Sequence, residues 1–247
     1  MLLELRKASK RYGDMLVIPE LDLAVREGEL LGVIGPNGAG KSTAFGLMAG
    51  SHACDGGQVF LDGEDVTAMR ADERCRAGIG RTFQIPQPFS GMSVYENALV
   101  AATFGASLRG REASDLAQAA LEDCGLLGVA NHRAADLSLL QRKRLELARA
   151  LATNPRLLLL DEVAGGLTDA EVGQLLALIV SIHQSGVTVV WIEHLVHALV
   201  SAADRLVVLV EGKVLSDGDP ATVLSSPEVR ATYLGADPDE GVDHAVR

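Results

Sequence analysis

Aromatic side chains are scarce: one tryptophan, three tyrosines and five phenylalanines stand among 247 residues. A core built from this chain must be mostly aliphatic, and at this length it can be large. Basic residues are also short, with 22 lysines and arginines against 33 acids and a formal net charge of −11. A protein that binds a phosphate backbone needs a basic surface, so nucleic acid is not an expected partner. Cysteine is sparse, and Cys54, Cys75 and Cys124 are too scattered for metal spacing or a disulfide framework. They read as small hydrophobes in a reducing compartment. No apolar run approaches the ~20 residues that a membrane span requires. The start, MLLELRKASK, puts Glu4 inside any would-be apolar leader and does not read as a signal peptide. There is no internal repeat. Large apolar residues are also missing from 235–247, GADPDEGVDHAVR, and this acidic tail is expected to be mobile.

What is present is an alternation of short aliphatic strands and amphipathic helices. ELLGVIG (29–35) reads as a strand entering a glycine-rich turn, and GQVFLDGEDV (57–66) as a hairpin about Asp62-Gly63. Helical patterns take over in 92–152, for example REASDLAQAALEDCGLL (111–127). Strands return at 156–162, 187–193 and 204–210. This order predicts an α/β core interrupted by a helical insert.

GPNGAGKST (35–43) matches G-x-x-x-x-G-K-[ST] between a predicted strand and a predicted helix, the context a P-loop requires. Gly35, Gly38 and Gly40 let backbone N–H groups wrap a phosphate without Cβ clashes, with Pro36, Asn37 and Ala39 completing the loop. Lys41 puts a point charge on the β- and γ-phosphates, Ser42 can ligate Mg²⁺, and Thr43 opens a helix whose N-terminus favours anions. RLLLLDE (156–162) has the leucine run of a parallel strand buried on both faces. Ligands in such sheets bind beyond the strands' carboxyl ends. Asp161 is therefore predicted to hold Mg²⁺ beside the P-loop and Glu162 to polarise an attacking water. In DLSLLQRKRLELARAL (136–151), Ser138 and Gln141 have capping-box spacing. Leu145, Ala148, Leu151 and Ala152 fall on one helical face, with Arg142, Lys143, Glu146 and Arg149 on the others.

A P-loop alone does not separate kinases, GTPases, helicases and transporter ATPases. LSLLQ just upstream of LLLLDE resembles the signature of the ATP-binding cassette (ABC) family, L-S-x-G-Q before the Walker B strand. The resemblance runs over about 3–234, in order. Gln84 in GRTFQ matches the glutamine loop, a γ-phosphate sensor and metal contact. His194 in VVWIEH matches the switch histidine, GGLTDAE (165–171) the D-loop, and Tyr12 in KRYGD the aromatic that stacks on adenine. The implied fold is an α/β P-loop NTPase of the ABC ATPase type with an antiparallel β subdomain and an inserted α-helical subdomain. It forms one domain, with 1–87 and 153–234 as catalytic core and 88–152 as helical subdomain. RTFQ…F…MSVYENALVA (81–101), QRKRLELARAL, IEH and YLG (233–235) are similar to the ATPase subunits of branched-chain amino acid importers. That likeness implies an ATP-hydrolysing subunit at the cytoplasmic face of the membrane, beneath two transmembrane permeases, with a solute-binding protein outside. Residues 84–97 are expected to face the permease. Urea, amides, other amino acids and lipopolysaccharide export stay open as cargo.

In this family two ATPase chains, alike or different, close head to tail. Each ATP then lies between one P-loop and the partner's signature residues, here Ser138, Leu140 and Gln141. Three residues depart from the pattern: Val163 for proline, Thr168 for the D-loop aspartate, and Leu140 for the signature glycine. Helical Cβ atoms tilt toward the N-terminus. The Leu140 side chain is thus expected to lean toward the partner's γ-phosphate and impair that half-site; the alternative is that it rotates aside.

Overall fold

The computed structural model describes residues 1–233; the acidic tail at 235–247 lies outside them. The chain opens with two long antiparallel strands, β1 (Leu3–Tyr12) and β2 (Met15–Val25). β3 (Leu30–Ile34) runs through the glycine-rich turn into α1 (Lys41–Ala49). The predicted hairpin is β4 (Gly56–Leu61) and β5 (Glu64–Asp65), turning at Asp62 and Gly63 with φ of 52° and 81°. α2 (Ala71–Arg76) leads to β6 (Ile79–Arg81). The predicted helical stretch holds α3 (Val94–Phe104), α4 (Gly110–Asp123) and α5 (Leu139–Leu151). Then come β7 (Leu157–Asp161), α6 (Asp169–Gln184), β8 (Thr188–Ile192), α7 (Val196–Ala202), β9 (Arg205–Val210) and β10 (Lys213–Gly218). α8 (Pro220–Ser225) and α9 (Pro227–Tyr233) close the described chain.

Two sheets organise these elements. One is antiparallel, in the order β2-β1-β4-β5. The other runs β10-β9-β3-β8-β7-β6, parallel throughout except for β10, which is antiparallel to β9. The leucines of β7 alternate between two cores. Leu158 and Leu160 join the helices of 94–152, whereas Leu157 and Leu159 join α1 and the antiparallel sheet. Each fully buried leucine contributes about 1.5–3 kcal/mol. In β8, Val189 and Trp191 face the first core, Val190 and Ile192 the second. With few aromatics available, aliphatic side chains and alanine fill both layers, and Trp191 is the largest fully buried residue.

Arg74 is also fully buried. Its guanidinium donates to the carbonyls of Leu47 and Met48 (2.9 Å) at the end of α1, and to Thr67 O at 3.2 Å. The last carbonyls of a helix have no intrahelical donors and carry its negative dipole end. One arginine thus satisfies the far end of the helix that begins at the P-loop. Arg74→Ala should cost about 3 kcal/mol, because it strands buried carbonyls. A urea-unfolding midpoint equal to that of the wild type would show that water replaces the guanidinium at no cost.

Candidate functional site: a phosphate loop beside two carboxylates

The turn between β3 and α1 brings backbone very close to itself. A Cβ at Gly35 would fall on the Leu209 carbonyl oxygen, and Gly40 precedes α1 at φ 94°, where a side chain is strained. Asn37, Gly38 and Ser42 are exposed, Pro36 and Thr43 half-buried, Ala39 and Gly40 buried. Ala39 N donates to Pro36 O at 3.2 Å. The buried Lys41 folds back onto this loop, its Nζ 2.7 Å from Gly35 O and 3.1 Å from Pro36 O. Burial lowers its pKa, and Glu162 and Asp161 oppose that shift.

β7 ends on Asp161, as the leucine run predicts. Burial raises the carboxyl's pKa, and the neighbouring Arg81 guanidinium, 3.2 Å away, pulls it back. Glu162 follows at φ 46°, a left-handed conformation that costs a non-glycine residue energy and turns the chain sharply off the strand. Its carboxylate accepts from Gln84 Nε2 at 2.5 Å and lies 2.8 Å from His194 Nε2. The predicted glutamine, glutamate and histidine therefore meet at one point, with Lys41 and Asp161 within electrostatic range. Asp161, Ser42 and the Gln84 amide offer oxygen donors of the kind Mg²⁺ takes. Among the described residues, no cluster of His, Cys, Asp or Glu could hold a metal unaided. A set of one carboxylate, one hydroxyl and one amide oxygen fits a cation that takes its remaining ligands from substrate phosphates.

The other predicted residues lie elsewhere. Tyr12 ends β1, exposed, edge-on to His52 with ring centroids 5.8 Å apart. Ser138 and Gln141 form the expected capping box: Gln141 N donates to Ser138 Oγ (3.3 Å) and Ser138 N to Gln141 Oε1 (3.0 Å). Leu140, expected to lean toward a partner's phosphate or else to rotate aside, is half-buried and packs against its own chain's larger core. The exposed leucine is Leu139, 42% accessible, with its Cδ2 close to the D-loop glycine Gly166.

Several polar residues of the site escape sequence patterning. Lys143 and Glu146, expected on outward faces of α5, are each only 4% exposed. Lys143 Nζ donates to Gln84 O at 3.2 Å, and Glu146 Oε1 accepts from Gln87 N at 2.7 Å. Arg149 bonds both Gln87 O and Glu146. Glu193, 3% exposed, accepts from Ala164 N and His194 N, both at 3.1 Å, tying the residue just before the D-loop segment to the histidine. Its place in IEH, and that of Arg81 in GRTFQ, were the available signals.

A family model described as ABC transporter matches residues 18–165. The chain belongs to the ABC transporter family. It is an ATP-hydrolysing cassette of that family, with the P-loop NTPase fold expected for it. Along 95% of its length the cassette is 37% identical to the high-affinity branched-chain amino acid transport ATP-binding protein BraF of Pseudomonas aeruginosa, of which it covers 98%. It is 35% identical to the lipopolysaccharide export system ATP-binding protein LptB of Acidithiobacillus ferridurans, over 95% of this chain and 97% of that one. Among solved structures it resembles the ADP conformation of an ATP-binding cassette of an ABC transporter, with a TM-score of 0.86 and 28% identity over 95% and 98% of the two chains.

The cassette's buried Glu146 carries a pH signature. Burial raises its carboxyl's pKa, more than Arg149 and the Gln87 amide lower it. A carboxyl raised in the folded state binds its proton more tightly there than when unfolded, so its contribution to stability falls as pH rises through the folded pKa. Glu146→Gln keeps an oxygen acceptor and removes the titration. From pH 5 upward, wild type should therefore lose stability relative to Glu146→Gln. A constant difference in urea midpoints between pH 5 and pH 8 would mean that the carboxylate is fully compensated.

Proposed function

We propose that this cassette is the ATP-hydrolysing subunit of an importer for branched-chain amino acids. It would act at the cytoplasmic face of the inner membrane, under two permease subunits fed by an external solute-binding protein. The observation that carries this reading is the near full-length similarity to BraF, at 37% identity over 95% of this chain. The likeness to LptB leaves lipopolysaccharide as the competing cargo. ABC cassettes form dimers, and a second cassette chain, identical or not, completes each site.

The chemistry proposed follows the geometry. Adenine stacks on the open Tyr12 ring. The triphosphate takes the Lys41 ammonium from its place on Gly35 O and Pro36 O and meets the backbone amides of the first turn of α1, which have no intrahelical acceptor. Ser42, Asp161 and Gln84 would hold Mg²⁺, which would supply charge neutralisation at the phosphates. Glu162 accepts a proton from the attacking water, and His194 and Gln84, both bonded to Glu162, hold its carboxylate toward that water. The partner contributes the start of its own α5, with Ser138, Leu140 and Gln141. Residues 84–97 face the permease. Ile85, Phe89 and Met92 are exposed there, Ile85 at 71%, and exposed apolar clusters mark protein contacts.

Lys41→Ala should lose ATP binding. Glu162→Gln should keep it while hydrolysis falls by about 10²–10⁴, the usual worth of a general base. Both should abolish leucine, isoleucine and valine uptake in cells whose only copy carries the change. Normal uptake with a failing outer-membrane barrier would give the cargo to the lipopolysaccharide reading. Equal loss of nucleotide binding in both variants would remove Glu162 from its role.

The packing of Leu140 supports a competent signature. Leu140→Gly should lower stability by about 1–3 kcal/mol, through helix propensity and lost burial. Steady-state phosphate release by the folded variant should change little. An increase of about 10²–10³, the worth of one oriented donor, would mean that the leucine obstructs the partner's phosphate after all.

A further inference from the structure

Arg81 ends β6, in parallel register opposite Leu159, two residues before Asp161. Its guanidinium spans the site. One nitrogen donates to Asp161 Oδ2 at 3.2 Å and the other to Ser51 Oγ at 3.0 Å, just past the end of α1. The Phe83 ring lies 5.4 Å from the guanidinium carbon. Both partners of the pair are largely shielded, with side-chain exposures of 18% and 8%. Arg81 Nε is buried without a partner.

This is a poor arrangement for stability alone. A buried pair with an unpaired donor seldom repays its desolvation, and an apolar contact at the same place would do as well. It is a sensible arrangement for a carboxylate that must wait for a cation. Asp161 sits beside Glu162, and the Lys41 ammonium is occupied by Gly35 O and Pro36 O. Among the described residues, Arg81 is the one cation in direct contact with Asp161. A divalent ion arriving at the same carboxylate meets that guanidinium as a like charge.

We propose that Arg81 is a positioning residue that holds Asp161 in place of the divalent cation and competes with that cation for the carboxylate. Metal alone then cannot displace it, and metal accompanied by nucleotide phosphates can. Binding of the cation is thereby made conditional on nucleotide. This rests on the reading of Asp161 as a cation holder.

The test is Mn²⁺ binding to the purified chain, followed by the loss of the free-ion EPR signal, without nucleotide and with saturating ADP. Arg81→Gln should tighten Mn²⁺ binding by roughly tenfold in the ADP complex and make binding without nucleotide measurable; Arg81→Lys should fall between it and wild type. ADP affinity in EDTA should not tighten in either variant. The double variant Arg81→Gln/Asp161→Asn should lose the gain. Unchanged or weaker Mn²⁺ binding in folded Arg81→Gln overturns the proposal and leaves Arg81 a strut. If Arg81→Gln does not fold, unchanged or weaker binding in Arg81→Lys overturns it equally. If Asp161→Asn alone leaves Mn²⁺ binding intact, the underlying reading of Asp161 is what fails.

Discussion

Burial of β7 on both faces is the constraint from which the site follows. Four consecutive leucines at the heart of a parallel strand need apolar cover above and below. The helices of 94–152 and α6 supply one cover; α1 and the antiparallel sheet supply the other. Once the strand is fixed between them, its first polar residue emerges at the carboxyl edge of the sheet. That residue is Asp161, and the left-handed turn at Glu162 sets the next carboxylate toward Gln84 and His194. α1 belongs to the same apolar layer that covers Leu157 and Leu159. The P-loop at its head is therefore held against the carboxylates by the core itself.

The polar groups of this edge satisfy one another. Lys41 rests on Gly35 O and Pro36 O, Arg81 on Asp161, and Gln84 and His194 on Glu162. Unpaired, such half-buried groups would each carry a desolvation penalty. The bonds that order these side chains are therefore made within the chain itself.

The sequence made the nucleotide site legible because its chemistry demands fixed residue types at fixed spacing. No residue but glycine tolerates the approach of Gly35 to Leu209 O, and the P-loop pattern records that. The hairpin, the helical insert and the strand ends were legible for similar reasons of pattern and turn chemistry. Lys143 and Glu146 were not. Helical periodicity sorts residues by polarity, and a polar side chain buried against a loop's backbone looks the same in sequence as one in water. Arg81 and Arg74 escaped for the same reason, since each is buried by a backbone or carboxylate partner far away in the chain. Leu140 was judged from the direction of a helical Cβ. That direction alone does not reveal that the side chain packs against the larger core.

α5 shows why those hidden contacts matter. Its first turn carries the capping box of Ser138 and Gln141. One turn further on, Lys143 grips the carbonyl of Gln84, and beyond it Glu146 and Arg149 grip both backbone groups of Gln87. Arg149 also lies over the Phe89 ring, 5.0 Å from its centroid. The segment from Gln84 to Phe89 is thus held to α5 at Gln84 and Gln87 by hydrogen bonds to charged side chains, two of them partly buried, and hydrogen bonds to charged groups are the stronger kind. Gln84 is in turn bonded to Glu162. Buried charge on a helix that periodicity reads as solvent-facing is what joins the carboxylate edge of the sheet to the helical layer.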